Sequence, residues 1–303
     1  MPRAGDIGMS STHRLLHTGA ARLERAGRGQ AWREAAWLLG RLMGARSLDL
    51  YLDDQPVPES TAEQFRSQIG ARALGVPLQY LLGEAEFFGE PFTVRPGVFI
   101  PRPETEAVVE AFLKALNPLR ARQVRPLRLL DAGTGSGCIA VTLSRRLSPC
   151  VVIALEVSWE ALSVARANVL RHGVGGSVHL VCGRWLEPIH GRYDAVISNP
   201  PYIPTSRVDG LPLEVRQEPR VSLDGGPDGM RDLLWLLSEA PRILQPGGAL
   251  ALECGEEQVE PLLDRATATP WVETATALCD LAGRPRGLLI QKCCGVTCLS
   301  KNC

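Results

Sequence analysis

The chain has 303 residues, 45% apolar and 22% charged, which is material for one large core or two unequal ones at ~100–200 residues per domain. Lys plus Arg and Asp plus Glu both number 33, so the overall basic field that gathers nucleic acid or anionic membrane is missing. No apolar run reaches the ~20 residues of a membrane span, and the N-terminus lacks the apolar centre of a secretory signal. The expected location is the bacterial cytoplasm, with only an Arg-rich organelle presequence left open.

Residues 12–85 read as helices. LLHTGAARLERAG (15–27), AWREAAWLLGRLMG (31–44) and TAEQFRSQIGARALG (61–75) carry apolar residues at three- and four-residue spacing. EFFGEPFTVRPGVF (86–99) alternates and is broken by Gly and Pro, the pattern of a short hairpin joining two domains. PRPETEAVVEAFLKAL (101–116) then starts a helix with acidic residues in its first turn, where the helix dipole favours them. From 127 the order is strand, loop, helix, repeated. Strands are expected at LRLLDAG, CVVIALEVS, VHLVCGRW, YDAVISNPPY, GGALALECG and RGLLIQ, and helices at CIAVTLSRRL, WEALSVARANVLRHG and RDLLWLLSEAPRIL. Such alternation predicts an α/β domain with a doubly wound, mostly parallel sheet. The expected division is a helical domain at 1–85, a hairpin linker at 86–99, the α/β domain at 100–290 and an unstructured Cys-rich tail at 291–303. Of nine Cys, four (293, 294, 298, 303) crowd that tail. Their spacing matches no usual zinc pair, and no metal is expected.

LLDAGTGSGCIAV places Gly133, Gly135 and Gly137 between a strand and a helix. Glycines there permit a tight turn and let a ligand approach the backbone, with the free N–H groups of a helix start beyond. Asp131 stands just before the first glycine. Glu156 ends the next expected strand, where a carboxylate can take both hydroxyls of a ribose. No Gly-Lys-Ser/Thr follows, which excludes a phosphate loop, and the spacing departs from the dinucleotide fingerprint. The pattern suits S-adenosylmethionine.

YDAVISNPPYIP puts Asn199, Pro200, Pro201 and Tyr202 at the C-terminal end of a strand, the edge at which open α/β sheets bind ligands. A planar amide or base nitrogen is a poor nucleophile because its lone pair is delocalised. The Asn199 oxygen can accept one of its hydrogens and the Pro200 carbonyl the other, which directs the lone pair at a methyl group. Tyr202 can stack on the flat group.

These residues resemble one known family, the release factor glutamine methyltransferases (HemK or PrmC proteins). The resemblance runs from about residue 30 to 290 through PLQYLLGEAEF (77–87), GVFIPRPETE (97–106), DAGTGSG (131–137), ALEVSWEAL (154–162), SNPPYIP (198–204), EVRQEP (214–219), LDGGPDG (223–229), LECGEEQ (252–258) and DLAGRPR (280–286). N-P-P-Y alone is shared with nucleic-acid methyltransferases; its pairing with IPRPETE is specific to the glutamine enzymes and close relatives. The resemblance implies a Rossmann-like class I S-adenosylmethionine methyltransferase domain behind a small helical domain and a hairpin. It implies N5-methylation of the glutamine in the Gly-Gly-Gln loop of class I peptide chain release factors, by a monomer, without metal or direct nucleic-acid contact. By motif, Asp131, Gly133, Thr134, Gly135 and Gly137 would hold the methionine part of the cofactor, Glu156 the ribose, and Arg184 and Trp185 the adenine side. Asn199 would face both cofactor and substrate. Asn199, Pro200 and Tyr202 would be catalytic, with Pro201, Arg102 and Glu104 completing the substrate side.

Three positions depart from the family pattern. Glu156 and Arg184 stand where Asp is usual, and Gln217 where an aromatic is common. Methyl transfer by in-line displacement requires no strong base, so His172, His179 and His190 have no expected role. A nucleic-acid amine methyltransferase and a non-enzymatic binding protein of the same fold remain as alternatives.

Overall fold

A computed structural model describes residues 10–122 and 124–294 of the chain. Two units are distinguished. The first comprises the residues through Glu84 together with Pro212–Gln217, the second Ala85–Leu211 with the residues from Glu218 onward.

In the first unit a two-residue strand, β1 (Ser10–Ser11), pairs with β2 (Pro56–Val57). Helices α1 (Thr12–Arg25), α2 (Ala31–Met43), α3 (Asp49–Leu52), α4 (Glu59–Ala73) and α5 (Leu78–Leu82) make up the rest. The Ser11 hydroxyl accepts from the Arg14 N–H and starts α1, while Gly44 closes α2 in the left-handed conformation that glycine tolerates. Leu16, Leu23, Leu38, Leu39, Phe65 and Ile69 form the core. The one-turn helices α3 and α5 are too short to show a period and were not expected. Inside this unit Arg72 holds Glu34 at 2.7 Å and Glu214 at 3.0 Å.

A hairpin, β3 (Glu84–Phe87) and β4 (Glu90–Thr93), leads into the second unit, which begins at Ala85, and α6 (Pro103–Arg122) follows. The hairpin thus ends earlier than the expected 86–99, and the chain from Val94 to Arg102 runs without regular structure. There follow β5 (Leu127–Ala132), α7 (Cys138–Leu147), β6 (Cys150–Glu156), α8 (Trp159–Arg171), β7 (Val178–Cys182), β8 (Tyr193–Ser198), α9 (Thr205–Val208), α10 (Leu213–Arg216, in the first unit), α11 (Arg231–Ile243), β9 (Leu244–Glu253), α12 (Glu256–Thr267), β10 (Val272–Cys279) and β11 (Pro285–Lys292). The sheet order is β10-β11-β9-β8-β5-β6-β7. Pairing is parallel from β7 through β9 and antiparallel at β9–β11–β10.

Residues alternate between two faces. Leu129, Val152, Ala195 and Ile197 pack on α6 and α7, whereas Leu130, Val196, Leu250 and Leu252 pack on α11 and α12. Helices on both faces explain the nearly continuous apolar strands. The last strand continues through Gln291 and Lys292, two residues past the expected domain end at 290, so the tail assigned to 291–303 begins too early. Cys298 and Cys303 lie outside the described residues.

The chain runs from β5 outward to β6 and β7, then returns to the other side of β5 with β8. The crevice at that reversal, outside the carboxyl ends of β5 and β8, is where doubly wound sheets bind ligands.

Candidate active site

One cleft of about 340 Å³ opens there, within the size range of small-ligand sites. Its walls include Gly133, Thr134 and Gly135 after β5, Glu156 to Ser158 after β6, Gly183 to Trp185 after β7, and Asn199 and Pro201 after β8. Phe99, Pro101 and Thr105 form another wall; Pro219, Val221, Ser222 and Asp232 form the last.

The glycine loop has a local cause. Gly133, Gly135 and Gly137 take φ of +79°, +56° and +83°, values that L side chains rarely adopt. The Gly133 and Thr134 N–H groups both donate to the Leu155 carbonyl at 2.9 and 2.8 Å, tying the turn to β6. A Cβ on Gly133 would stand 2.9 Å from the Trp185 ring, whereas one on Gly135 would meet nothing within 4 Å.

Asp131 is not on the cleft wall. It is buried beneath the loop, accepting from the Thr134 hydroxyl at 2.5 Å and the Ala140 N–H at 3.0 Å, so that it joins the turn to the start of α7. Burial pushes its carboxyl up to about 7 despite those two donors, and the nearby Glu156 charge adds to the rise. Gly137 also stands off the wall: as N-cap of α7, it would bring a Cβ within 3.2 Å of Ala165.

Glu156 does face the cleft, and its longer side chain turns back onto the backbone. One oxygen accepts from the Gly135 N–H at 3.0 Å, the other from the Val157 and Ser158 N–H groups at 2.9 Å. Arg184 is exposed on the rim. Trp185, at φ +47°, sends its indole N–H to Asp232 at 3.1 Å. Asp232, 3% exposed, is a buried acceptor on the wall that no sequence motif had singled out.

Asn199 leaves the end of β8 and donates through Nδ2 to the Thr105 hydroxyl at 3.1 Å. The Ser198 hydroxyl pins this strand end to the Ala132 carbonyl of β5 at 2.6 Å. Pro200 is buried and is not itself on the cleft wall, but its carbonyl joins Asn199 to Pro201, and both of these are. Tyr202, expected to stack on a flat acceptor, is not among the residues lining the cleft; its hydroxyl lies 3.4 Å from Glu253. Burial and the Glu253 charge push the phenol up. The loop's backbone is anchored from α12, where Gln258 donates to the Tyr202 carbonyl at 2.8 Å. It is backed by Gly225, where a Cβ would come within 2.6 Å of the Pro201 oxygen. Gly225 and Gly229 of LDGGPDG and Gln258 of GEEQ therefore serve the shape of Asn-Pro-Pro-Tyr.

Arg102 and Glu104 are likewise off the wall. Arg102 pairs with Glu218, which also accepts from the Ile100 N–H at 3.0 Å. Burial raises the Glu218 carboxyl in spite of the guanidinium. This pair joins the segment carrying Phe99 and Pro101 to the one carrying Pro219 and Val221. Glu104 is exposed in the first turn of α6. Among the described residues no group of three or more His, Cys, Asp or Glu is arranged to hold a metal ion.

The wall composition fits a nucleoside bearing an amino acid. Phe99, Ile139, Val221 and Trp185 are apolar surfaces for a base, Glu156 is a carboxylate for a diol, and the glycine loop admits a close backbone approach.

Residues 14–83 match the family description "PrmC N-terminal domain", and residues 91–210 match "Methyltransferase small domain". A protein of Moorella thermoacetica named release factor glutamine methyltransferase is 44% identical, over 80% of this chain and 83% of its own length. One of the same name from Nitratidesulfovibrio vulgaris is 37% identical over 92% of this chain and 94% of its own. Among solved structures, the hMettl16 catalytic domain in complex with MAT2A 3'UTR hairpin 1 superposes with TM-score 0.53 at 16% identity, covering 78% of this chain and 82% of that one. That likeness bears on the fold alone.

Proposed function

Because the chain belongs to the release factor glutamine methyltransferases, we propose that it methylates N5 of the glutamine in the Gly-Gly-Gln loop of class I peptide chain release factors. The observation that carries this reading is the sharing of one cleft by the Gly133–Gly135 loop, the Glu156 carboxylate and the Asn199 amide. S-adenosylmethionine, when bound, supplies an electrophilic methyl group on its sulfonium.

The chain's own residues do the rest. The glycine loop and Glu156 hold the cofactor, with Asp131 and Gly137 shaping the loop from behind. Asn199 Oδ1 and the Pro200 carbonyl accept the two hydrogens of the glutamine amide. Both acceptors stabilise positive charge as it develops on the nitrogen, and orientation of the reactants lowers the barrier further. One N–H proton leaves to solvent after transfer. Tyr202 acts by anchoring the loop, and the Arg102–Glu218 pair by fixing the walls.

The helical unit contributes to recognition of the release factor. Trp32, Trp37, Leu48, Tyr51 and Leu52 are exposed apolar residues on it, a composition suited to a protein surface. The acting form is a monomer without direct nucleic-acid contact, and the site of action is the cytoplasm, where release factors work. Presenting labelled S-adenosylmethionine with release factor and with ribosomal RNA tests the acceptor class. Label in the release factor is expected; label in the RNA supports a nucleic-acid enzyme instead.

Arg184 carries donors only and cannot accept from an adenine amine. Asp232 is the carboxylate at that wall. Arg184→Asp adds a second acceptor and is expected to tighten S-adenosylhomocysteine binding about fivefold, the ~1 kcal/mol of one net hydrogen bond. Titration of both forms at equal salt measures it. Weaker binding by the variant would assign Arg184 a productive contact of its own.

A further inference from the structure

An asparagine amide has two ends of nearly equal shape, and a half-turn of its last torsion exchanges them. Only Oδ1 can accept from an acceptor N–H; Nδ2 would present hydrogen to hydrogen. Whatever fixes that turn determines whether the residue works.

Asn199 Nδ2 donates to Thr105 Oγ1 at 3.1 Å. Thr105 lies in the first turn of α6 and is 3% exposed. A hydroxyl that accepts from Asn199 still has its own proton to give. The Tyr202 hydroxyl lies 3.4 Å from Oε1 of Glu253, the last residue of β9, and the Thr105 hydroxyl acts on the same carboxylate without a hydrogen bond of its own to it. Glu253 is 2% exposed, and its Oε2 is buried without a hydrogen-bond partner. An ionised carboxylate only accepts. It therefore draws the Thr105 proton inward, leaves the Thr105 lone pair toward Asn199, and so selects Nδ2 as the end of the amide that faces Thr105.

We propose that Thr105 and Glu253 are positioning residues that set the Asn199 amide with its oxygen toward the acceptor nitrogen. This rests on the reading of Asn199 as the group that holds the glutamine amide. Neither residue needs to touch the transferred methyl group.

The arrangement has a polarity that protonation reverses. A neutral Glu253 can donate to Thr105, whose proton then turns outward to Asn199 Oδ1 and leaves Nδ2 facing the acceptor. The groups around Glu253 are the Thr105 and Tyr202 hydroxyls, Glu104 on α6, Arg286 on β11 and the adjoining thiol of Cys254. Burial first, then the Glu104 charge, raise Glu253 to about 7 against the two hydroxyls and Arg286. The ionised, productive form is therefore lost as pH falls through about 7.

The experiment is single-turnover methylation of a class I release factor at saturating S-adenosylmethionine, from about pH 6 to pH 9. It is run on the full chain and on Thr105→Val, Thr105→Ser, Glu253→Gln and Asn199→Ala, with S-adenosylhomocysteine affinity measured on each. Thr105→Val is expected to slow transfer about 10–100-fold with nearly unchanged cofactor affinity, and Thr105→Ser to recover most of the rate. The parent rate should fall on acidification, and Glu253→Gln should flatten that fall. If Asn199→Ala is inactive while Thr105→Val keeps the parent rate, the positioning role is wrong and the reading of Asn199 stands. Failure of Thr105→Ser to recover, loss of cofactor affinity in Thr105→Val, or an unchanged pH profile in Glu253→Gln likewise overturns it. Parent-like transfer by Asn199→Ala removes the reading beneath.

Discussion

Asn199→Ala is expected to lower the single-turnover rate of methyl transfer about 10²–10³-fold, the ~2.7–4 kcal/mol that loss of one aligned group costs where charge develops. Cofactor affinity should change little. The Asn199 side chain closes the β8 end of the cleft, while the glycine loop and Glu156 close the β5 and β6 ends. Calorimetric titration with S-adenosylhomocysteine, beside single-turnover methylation, separates the two effects. A variant that turned over like the parent would leave the amide nitrogen without its side-chain acceptor.

Gly135→Val is expected to fold and to lose cofactor binding. A Cβ at this position meets no neighbouring atom within 4 Å, so the protein itself has room for the side chain. The φ of +56°, however, is a conformation that L residues enter at ~1–2 kcal/mol, and a β-branched side chain fits it worst. The added methyls also project at the face where a ligand must approach the backbone. The Gly135 N–H holds Glu156 at 3.0 Å, so a shift of the loop releases the carboxylate as well. Thermal melting with and without S-adenosylhomocysteine reports both folding and binding. A ligand-induced stabilisation equal to the parent's would reassign the loop.

Much of the α/β unit was legible because its strands are buried on both faces. LRLLDA and CVVIALE are mostly apolar and bounded by Gly, Pro or Ser, and CIAVTLSRRL coincides with α7. Two of the longer elements do not stand out in the sequence, for opposite reasons. β10 is an edge strand whose Glu273, Thr274 and Thr276 face outward, so VETATALC has too little apolar alternation to stand out. α12 begins on Glu256 and Glu257 and carries Pro261 inside, which reads as a loop. At the site, glycine spacing and Asn-Pro-Pro-Tyr located the cleft because they constrain backbone shape. Which polar side chain faces inward was not legible. Asp131 is drawn under the loop by Thr134 and Ala140, and Arg102 is drawn to Glu218. Asp232 comes to the site from α11, outside every motif; Thr105 and Glu253 lie within IPRPETE and LECGEEQ, but nothing in those strings marks which of their residues faces the site.

The measurement that bears most directly on the central claim is the mapping of a transferred methyl group. The full chain, S-adenosylmethionine labelled in the methyl carbon and an unmodified class I release factor are incubated, and the digested factor is read by fragmentation mass spectrometry. One added methyl on the side-chain nitrogen of the glutamine in the Gly-Gly-Gln loop is predicted, absent when that glutamine is replaced. A methyl group on another residue, on RNA carried with the factor, or on nothing at all while the cofactor binds normally, would contradict it.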